Sequence, residues 1–407
     1  MKCRFCNGTN ILTVADLGKA PPSNAYIMRK NLSTPEVYLP LVVFVCKNCW
    51  LVQTKDFASP ETFFDESYAY FSSASKTWTE HAEIYAEKII DELGLNSKSF
   101  VTEIASNDGY LLKNFIAKDI PCLGVEPTES TAQASERIGV RVLKKFFGQS
   151  VAEDILNEYG PSDLLVGNNV YAHVPDINDF TKGLKLLLGA NGTVTLEFPH
   201  ILNLIEKNQW DTIYHEHFSY FSLLALDKIF KFHGLRVYKV EEISTHGGSL
   251  RIFGCHDKSK MREDSSVAEL LDYEKKQNLN HVSGYKVIQN RADQNKDEVL
   301  SFLIKQKKLG KIVVGYGAAA KGNTLLNYAG VKPDLLPAVF DASPSKQDKF
   351  LPGSQIPILH PSLIEKYDPD FVLIFPWNIK EEIIKQLKDT LKPTVQYVVA
   401  SPELKIG

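Results

Sequence analysis

The chain has 407 residues, 44% of them hydrophobic, with 46 basic and 49 acidic side chains and a formal net charge of −3. A domain takes ~100–200 residues, so this length predicts two or three domains rather than one core. Near-balanced charge with no polybasic block argues against nucleic acid or an anionic membrane surface as partner. No run approaches the ~20 apolar residues of a membrane helix, and the opening MKCRFCNGTN lacks a signal peptide's apolar core, so a cytoplasmic protein is expected.

Four of the six cysteines form two CxxC pairs, Cys3 with Cys6 and Cys46 with Cys49. A Pro-rich turn (KAPPSN) and an apolar strand (YLPLVVFV) lie between them. Two such knuckles supply four thiolates for a tetrahedral zinc, which replaces a core that so short a segment cannot build. A closed four-Cys site has no open coordination position, so this zinc is read as structural. Cys122 and Cys255 sit in apolar, strand-like runs and are read as small buried hydrophobes.

From residue 76 a helical pattern (TWTEHAEIYAEKIIDELGL) leads into SFVTEIASNDGYLLKNF: an apolar strand, an Asn-Asp-Gly turn and a new helix. CLGVEPTESTAQASERIG repeats the plan with a strand ending at Glu126, DLLVGNNVYAHVPDINDFTKGLKLLL gives a third unit, and GTVTLEFPH a fourth strand. This alternation predicts an α/β protein with a parallel, doubly wound, Rossmann-like sheet, whose ligands sit at the carboxyl ends of the strands. Glu103 to Gly109, Glu126, Asn168 to His173 and Glu197 to His200 fall at those ends. The polar stretch from Ser259 to Gly310 reads as a helical connection. Beyond it KIVVGYGAAAKGNTLLNYAG restarts with strand, Gly-rich turn and helix, and LPAVFDAS, DFVLIFPWN and QYVVASPE supply three more strands. The expected division is a zinc-binding module over 1–70, a Rossmann-like domain over 71–300 and a smaller Rossmann-like α/β domain over 301–407.

Where a dinucleotide site would carry GxGxxG, the first turn reads EIASNDGY. Asn107, Asp108 and Gly109 make a tight turn whose backbone and carboxylate face a zwitterion without phosphate, which suits S-adenosylmethionine better than a pyrophosphate. Glu126 is placed to accept both ribose hydroxyls. Glu103, Ser106, Asn168 and Asn169, at the same strand ends, complete the candidate donor-binding set. A helix cap at Asp108 and a plain turn at Gly109 are the competing readings of each residue alone.

After the two CxxC pairs, the ordered set EIASNDGYLL, GVEPT, GNNVYAHVPD, EFPH, YHEHFSYFSL, HGGSLR and YGAAAKGNTLLNY resembles the nucleotide-sugar C-methyltransferases. The best-known members of that family methylate C3 of 4-keto deoxyhexoses, and the match covers nearly the whole chain. The resemblance implies a zinc-binding N-terminal domain, a central S-adenosylmethionine-dependent methyltransferase domain and a C-terminal α/β domain that closes over a dTDP- or GDP-linked ketosugar. It implies no obligate protein partner. The implied chemistry removes a proton alpha to the ketone, and the enolate then takes the donor methyl. By motif, Tyr214, Glu216 and His217 of YHEH, His173 of YAHVPD, and Tyr70 (with Tyr68 as the register alternative) are similar to the family's active-site set.

A weakly acidic alpha proton needs a base with a pKa near the working pH, which makes His217 the expected base. Glu216 is a candidate orienting carboxylate, and Tyr214 or Tyr70 a candidate donor to the oxyanion. On a strand, residues 215 and 217 face one side while 214 and 216 face the other, so loop or helical backbone is needed to aim Tyr214, Glu216 and His217 together. The competing readings are a metal cage through His215 and His217 and a hydrogen-bonded structural cluster, the latter favoured for His215 alone. Glu197, His200, Arg251 of HGGSLR, and Lys321 and Asn323 of YGAAAKGNT are candidate substrate residues, the last two beside a helix N-terminus suited to phosphate. Against these stand a strand-end histidine, a solvated arginine and a structural glycine turn, while Asp341 leaves an NAD site open. Rival functions are O- or N-methylation of a sugar nucleotide and a non-enzymatic ligand-sensing protein.

Overall fold

A computed structural model describes residues 1–57 and 71–407; Tyr70 and Tyr68 lie outside the described residues. In the N-terminal module, Ile11–Ala20 pairs antiparallel with Leu39–Cys46, which pairs with Val52–Thr54. Leu41, Val43 and Val45 alternate inward and are almost fully buried, the period-2 pattern of a strand with one face on a core. The fourth strand of this sheet comes from far along the chain: Ser219–Tyr220, the end of YHEHFSY, pairs with Val52–Thr54.

The central sheet has seven strands, in chain order Val101–Ile104, Cys122–Val125, Val142–Leu143, Ser162–Asn168, Leu188–Pro199, Leu235–Ile243 and Ser249–His256. Their spatial order is 3-2-1-4-5-7-6. The first five run parallel, the four read from the sequence together with Val142–Leu143, which that reading did not name, whereas the seventh is antiparallel to both its neighbours. The connection before it is a short turn through Gly247 and Gly248, with φ of 90° and 122°. So short a link closes a hairpin but cannot carry the crossover that a parallel strand needs. Strand order reverses between the first and fourth strands, which opens a crevice at their carboxyl ends.

The polar connection forms two helices, Ser265–Lys276 and Val287–Lys308, and residue 300 lies inside the second. The C-terminal sheet follows, with Val313–Tyr316 flanked in parallel by Val339–Phe340 and Phe371–Ile374. Outside that sheet, the short strand Lys349–Phe350 pairs with Ile27–Met28 of the N-terminal module in a two-stranded sheet of its own. One continuous core then joins Val43 and Val45 to Trp210, Tyr285, Val313 and Val339, and a second joins Phe5 and Leu51 to Leu165 and Phe198, so the zinc module is wedged against both α/β sheets. No described helix is long and apolar enough to cross a membrane.

Candidate active site

A cleft of about 730 Å³ opens where the three parts meet. Its walls carry Asn24 and Tyr26 from the N-terminal module, Asn107, Glu126, Asn168, Asn169, His173, Tyr214, Glu216 and His217 from the central one, and Lys321 and Lys346 from the C-terminal one.

The central wall is set by the turn after Val101–Ile104. Ala105, Asn107 and Gly109 have φ of 57°, 51° and 78°, so three alternate residues take the left-handed conformation of a Gly-rich loop although one alone is glycine. Asn tolerates that region, whereas for Ala it costs ~1 kcal/mol. Glu126 accepts from the Asn107 N–H at 3.0 Å and the Thr128 N–H at 2.9 Å. Burial pushes its carboxyl up and the hydrogen bonds from Thr128 and Asn107 hold it back. Asn107 Oδ1 and Asp108 Oδ2 accept from the N–H groups of Ser72 and Ser73 at 2.9 and 3.0 Å, fastening the segment that leads into the helix Lys76–Leu93. On the cleft wall, Asn168 Oδ1 and Asn169 Oδ1 are buried without a hydrogen-bond partner among the described residues, two acceptors that fit a ligand bearing ammonium or hydroxyl donors. Glu103, Ser106, Asp108 and Gly109 support this turn but are not on the cleft wall; burial holds the Glu103 carboxyl well above the usual carboxylate range.

Opposite, residues 213–218 form a loop with a turn, not a strand. The His217 N–H donates to Tyr214 O at 3.0 Å and the Phe218 N–H to Ala172 O at 2.8 Å. Thr54 Oγ1 donates to His217 O at 2.9 Å and the Thr54 N–H to Phe218 O at 3.1 Å. This backbone brings Tyr214, Glu216 and His217 to one cleft. His217 Nδ1 lies 3.1 Å from Thr212 O. A carbonyl can only accept, so Nδ1 carries the hydrogen and the neutral ring has its lone pair on Nε2. The ring lies 3.9 Å from that of Tyr214 and 4.8 Å, edge to face, from that of His173. Burial pulls His173 down to about 4, a neutral imidazole in ordinary buffers.

Both Glu216 oxygens accept from Asn24 Nδ2, at 2.9 and 2.8 Å. Thr212, not Glu216, thus fixes the His217 tautomer. His215 Nε2 donates to Leu39 O at 3.2 Å, off the cleft wall, and among the described residues only the four cysteines cluster as metal ligands. Burial raises Glu216 to about 7 from 4.5. A proton bound more tightly in the folded state gives stability that is complete below about pH 4.5 and lost as pH rises through about 7. Glu216→Gln, which cannot ionise, is therefore expected to gain on the wild type by up to ~3 kcal/mol between about pH 4.5 and pH 8. Chemical denaturation at the two pH values checks this; an unchanged difference would refute the shift.

Two expected substrate residues are instead held by each other. Arg251 sits opposite Glu197 across the antiparallel strands and donates to its Oε2 at 2.7 Å. His81 lies 3.0 Å from the same oxygen and Thr245 donates to Oε1 at 2.9 Å. Burial would raise Glu197, but His81 and Arg251 hold it at about 2. Neither Glu197 nor Arg251 lines the cleft. His200 Nε2 donates to Glu274 Oε1 at 2.7 Å, and that carboxylate accepts the Leu223 and Leu224 N–H groups at 2.6 and 2.7 Å, satisfying the first turn of the helix Leu223–Phe232. Asn323 Nδ2 donates to Ser23 O at 2.6 Å, fastening a C-terminal helix to the Pro-rich turn. Lys321 remains on the wall, bonded to Asn378 Oδ1 at 2.7 Å and lying 4.3 Å over the Trp377 ring; burial pulls it down to about 8 against the pull of Asp211. Asp341 accepts the Ala318 and Ser343 N–H groups at 2.6 and 2.7 Å, which ties the acid of the imagined NAD site to its own loops.

Asn24, Tyr26, Thr212 and Lys346 escape the sequence reading. The sole hint was the Pro-rich turn around Asn24.

The four cysteine sulfurs lie within 4.8 Å of one another, with Cys3–Cys49 and Cys6–Cys46 each 3.5 Å apart. A tetrahedral zinc with its usual bond lengths needs ~3.8 Å between sulfurs, so the cage fits that ion. Gln53 Nε2 donates to Cys3 Sγ at 3.3 Å, an outer-shell bond of the kind that orients a ligand.

A doubly wound sheet with a donor turn at its reversal point, a four-cysteine module and a second α/β domain sharing one cleft defines an S-adenosylmethionine-dependent methyltransferase. Residues 78–240 match the family described as "Methyltransferase domain", residues 3–64 "Putative zinc binding domain" and residues 244–402 "C-methyltransferase C-terminal domain". C-methyltransferase NovU of Streptomyces niveus is 32% identical over 405 residues, covering 100% of this chain and 96% of its own. The chain belongs to the C-methyltransferase family. Among solved structures, magnesium protoporphyrin IX methyltransferase (ChlM) of Synechocystis with bound SAH is 14% identical over 44% of this chain and 83% of its own, with a TM-score of 0.34. An S-adenosylmethionine-dependent methyltransferase of Clostridium acetobutylicum is 9% identical over 44% and 91%, with a TM-score of 0.36.

Proposed function

We propose that the chain methylates a carbon alpha to the ketone, C3, of a nucleotide-linked 4-keto-deoxyhexose, for branched-sugar biosynthesis. The observation that carries this reading is the Nε2 lone pair of His217, fixed by Thr212, on the wall of the cleft that also holds Asn107 and Glu126. Nε2 takes the alpha proton, and the C–H pair becomes the enolate. Tyr214, against the His217 ring, hydrogen-bonds the oxygen on which charge develops. Glu126 and the turn 105–109 hold the donor. When bound, S-adenosylmethionine would supply a methyl on a sulfonium, whose S–CH3 pair would return to sulfur as the enolate pair made the new C–C bond. In this reading Lys321 and Lys346 meet the diphosphate of the sugar nucleotide, which their presence on the C-terminal wall supports.

The test is mass spectrometry of reactions with S-adenosylmethionine and a panel of dTDP- and GDP-linked 4-keto-6-deoxysugars. A gain of one methyl, placed on carbon by NMR, supports the reading. Transfer to oxygen or nitrogen would redirect it to heteroatom methylation, and no transfer to any ketosugar despite donor binding would remove it.

A further inference from the structure

The His217 and His173 loops converge on one residue that belongs to neither. Arg4 stands between the zinc ligands Cys3 and Cys6, yet its side chain, only 6% exposed, points away from the cage toward the catalytic loops. Its Nη1 donates to Pro175 O at 2.8 Å, two residues beyond His173. Its Nη2 donates to Thr54 O at 2.8 Å, and Thr54 is the residue whose hydroxyl and N–H hold the backbone of His217 and Phe218. The guanidinium lies 5.4 Å over the ring of Phe218, the neighbour of His217. Asp56 Oδ1 accepts from Nη2 at 2.6 Å, an ion pair that balances the guanidinium charge. The backbone of Arg4 is fixed as well, its N–H donating to Gln53 Oε1 at 3.0 Å and its carbonyl accepting from Asn178 Nδ2 at 3.1 Å.

We infer that Arg4 is a positioning residue for the His173–His217 pair, setting the distance between their loops from the zinc knuckle. The inference rests on the proposed role of His217 as base. Two carbonyls, one on the His173 loop and one at the end of the strand Val52–Thr54, and one carboxylate must be reached at once from a plane that also lies on the ring of Phe218. The rigid five-donor fork of arginine does this, and a lysine ammonium at the same site reaches one carbonyl without fixing the other. The closed metal site, which has no chemistry of its own, thereby fixes the geometry of the base.

The test compares wild type, Arg4→Lys and Arg4→Gln, using exchange of the alpha hydrogen of a dTDP-linked 4-keto-6-deoxyhexose in deuterated water with S-adenosylhomocysteine present. Zinc content and S-adenosylmethionine affinity are measured on the same preparations. A displacement of about 1 Å at a reacting group costs on the order of 10²-fold. Both variants are expected to keep one zinc per chain and the wild-type donor affinity, while exchange falls by about that factor and KM for the ketosugar changes little. Wild-type exchange in zinc-loaded variants would overturn the inference. So would loss of zinc or donor binding in step with exchange, which would make Arg4 a residue of the knuckle's fold alone. No exchange above the enzyme-free rate in the wild type would instead strike the proposed chemistry itself, so the two failures are distinct.

Discussion

Replacing His217 by alanine is expected to lower methyl transfer by ~10²–10⁴-fold, the usual range for loss of a positioned general base, with S-adenosylmethionine affinity close to that of the wild type. Donor affinity is expected to be spared because the groups proposed for the donor, Glu126 and the turn at Ala105 to Gly109, hydrogen-bond to one another and to Thr128, Ser72 and Ser73. Catalysis is not spared. His173, the other imidazole at the site, is edge-on to His217 and held by burial at about 4, too weak a base to replace it. The alanine variant leaves the loop backbone intact, since His217 is held there through its carbonyl and N–H by Thr54 and Tyr214. Initial rates together with titration of the donor check this. Equal losses of turnover and donor affinity would show that His217 supports the cleft rather than the proton transfer. Tyr214→Phe, which keeps the ring against His217 but removes the hydroxyl, separates oxyanion stabilisation from packing in the same assay.

What was legible in the sequence was whatever a short stretch of chain determines by itself. The strand–turn–helix units up to Asn168, the restart at Val313 and the paired CxxC knuckles follow from local periodicity and ligand spacing, and the structure has them. The turn at EIASNDGY is local too: its departure from GxGxxG hides a left-handed backbone at Ala105 and Asn107 that composition does not show. What was not legible depends on partners far apart in the chain. Arg251 looks like a ligand residue until the seventh strand places Glu197 against it. His200 looks like a site residue until Glu274 caps a helix beside it. Glu216 looks like the partner of the adjacent histidine, whereas Asn24 of the N-terminal module bonds it and a carbonyl orients His217. A carboxylate or an arginine declares the need for a partner, not which partner, and only tertiary pairing decides between ligand and neighbour.

That same long-range pairing makes metal removal the change with the largest expected effect on stability. Cys46 is fully buried at the end of Leu39–Cys46, and Cys46→Ser takes one thiolate from a four-sulfur cage. Structural zinc in small peptides is worth roughly 10–16 kcal/mol. The module here also packs through Val43, Val45 and Val52 into the shared core, so the expected loss is smaller than that but still several kcal/mol, comparable with the whole stability of a typical domain. Zinc content is expected to fall from one per chain toward none, the thermal midpoint to drop, and limited proteolysis to open the chain within residues 1–57 before the central sheet. Activity is expected to fall with the metal, although zinc touches no proposed catalytic group. Val52–Thr54, which leaves the second knuckle, holds Ser219–Tyr220 in register and bonds His217 through Thr54, so release of the cage frees the loop that carries the proposed base. Methyl transfer measured against residual zinc in a chelator series checks the link. Full turnover by zinc-free enzyme would show that the catalytic loop keeps its geometry without the knuckle, and would assign its hold to the central core alone.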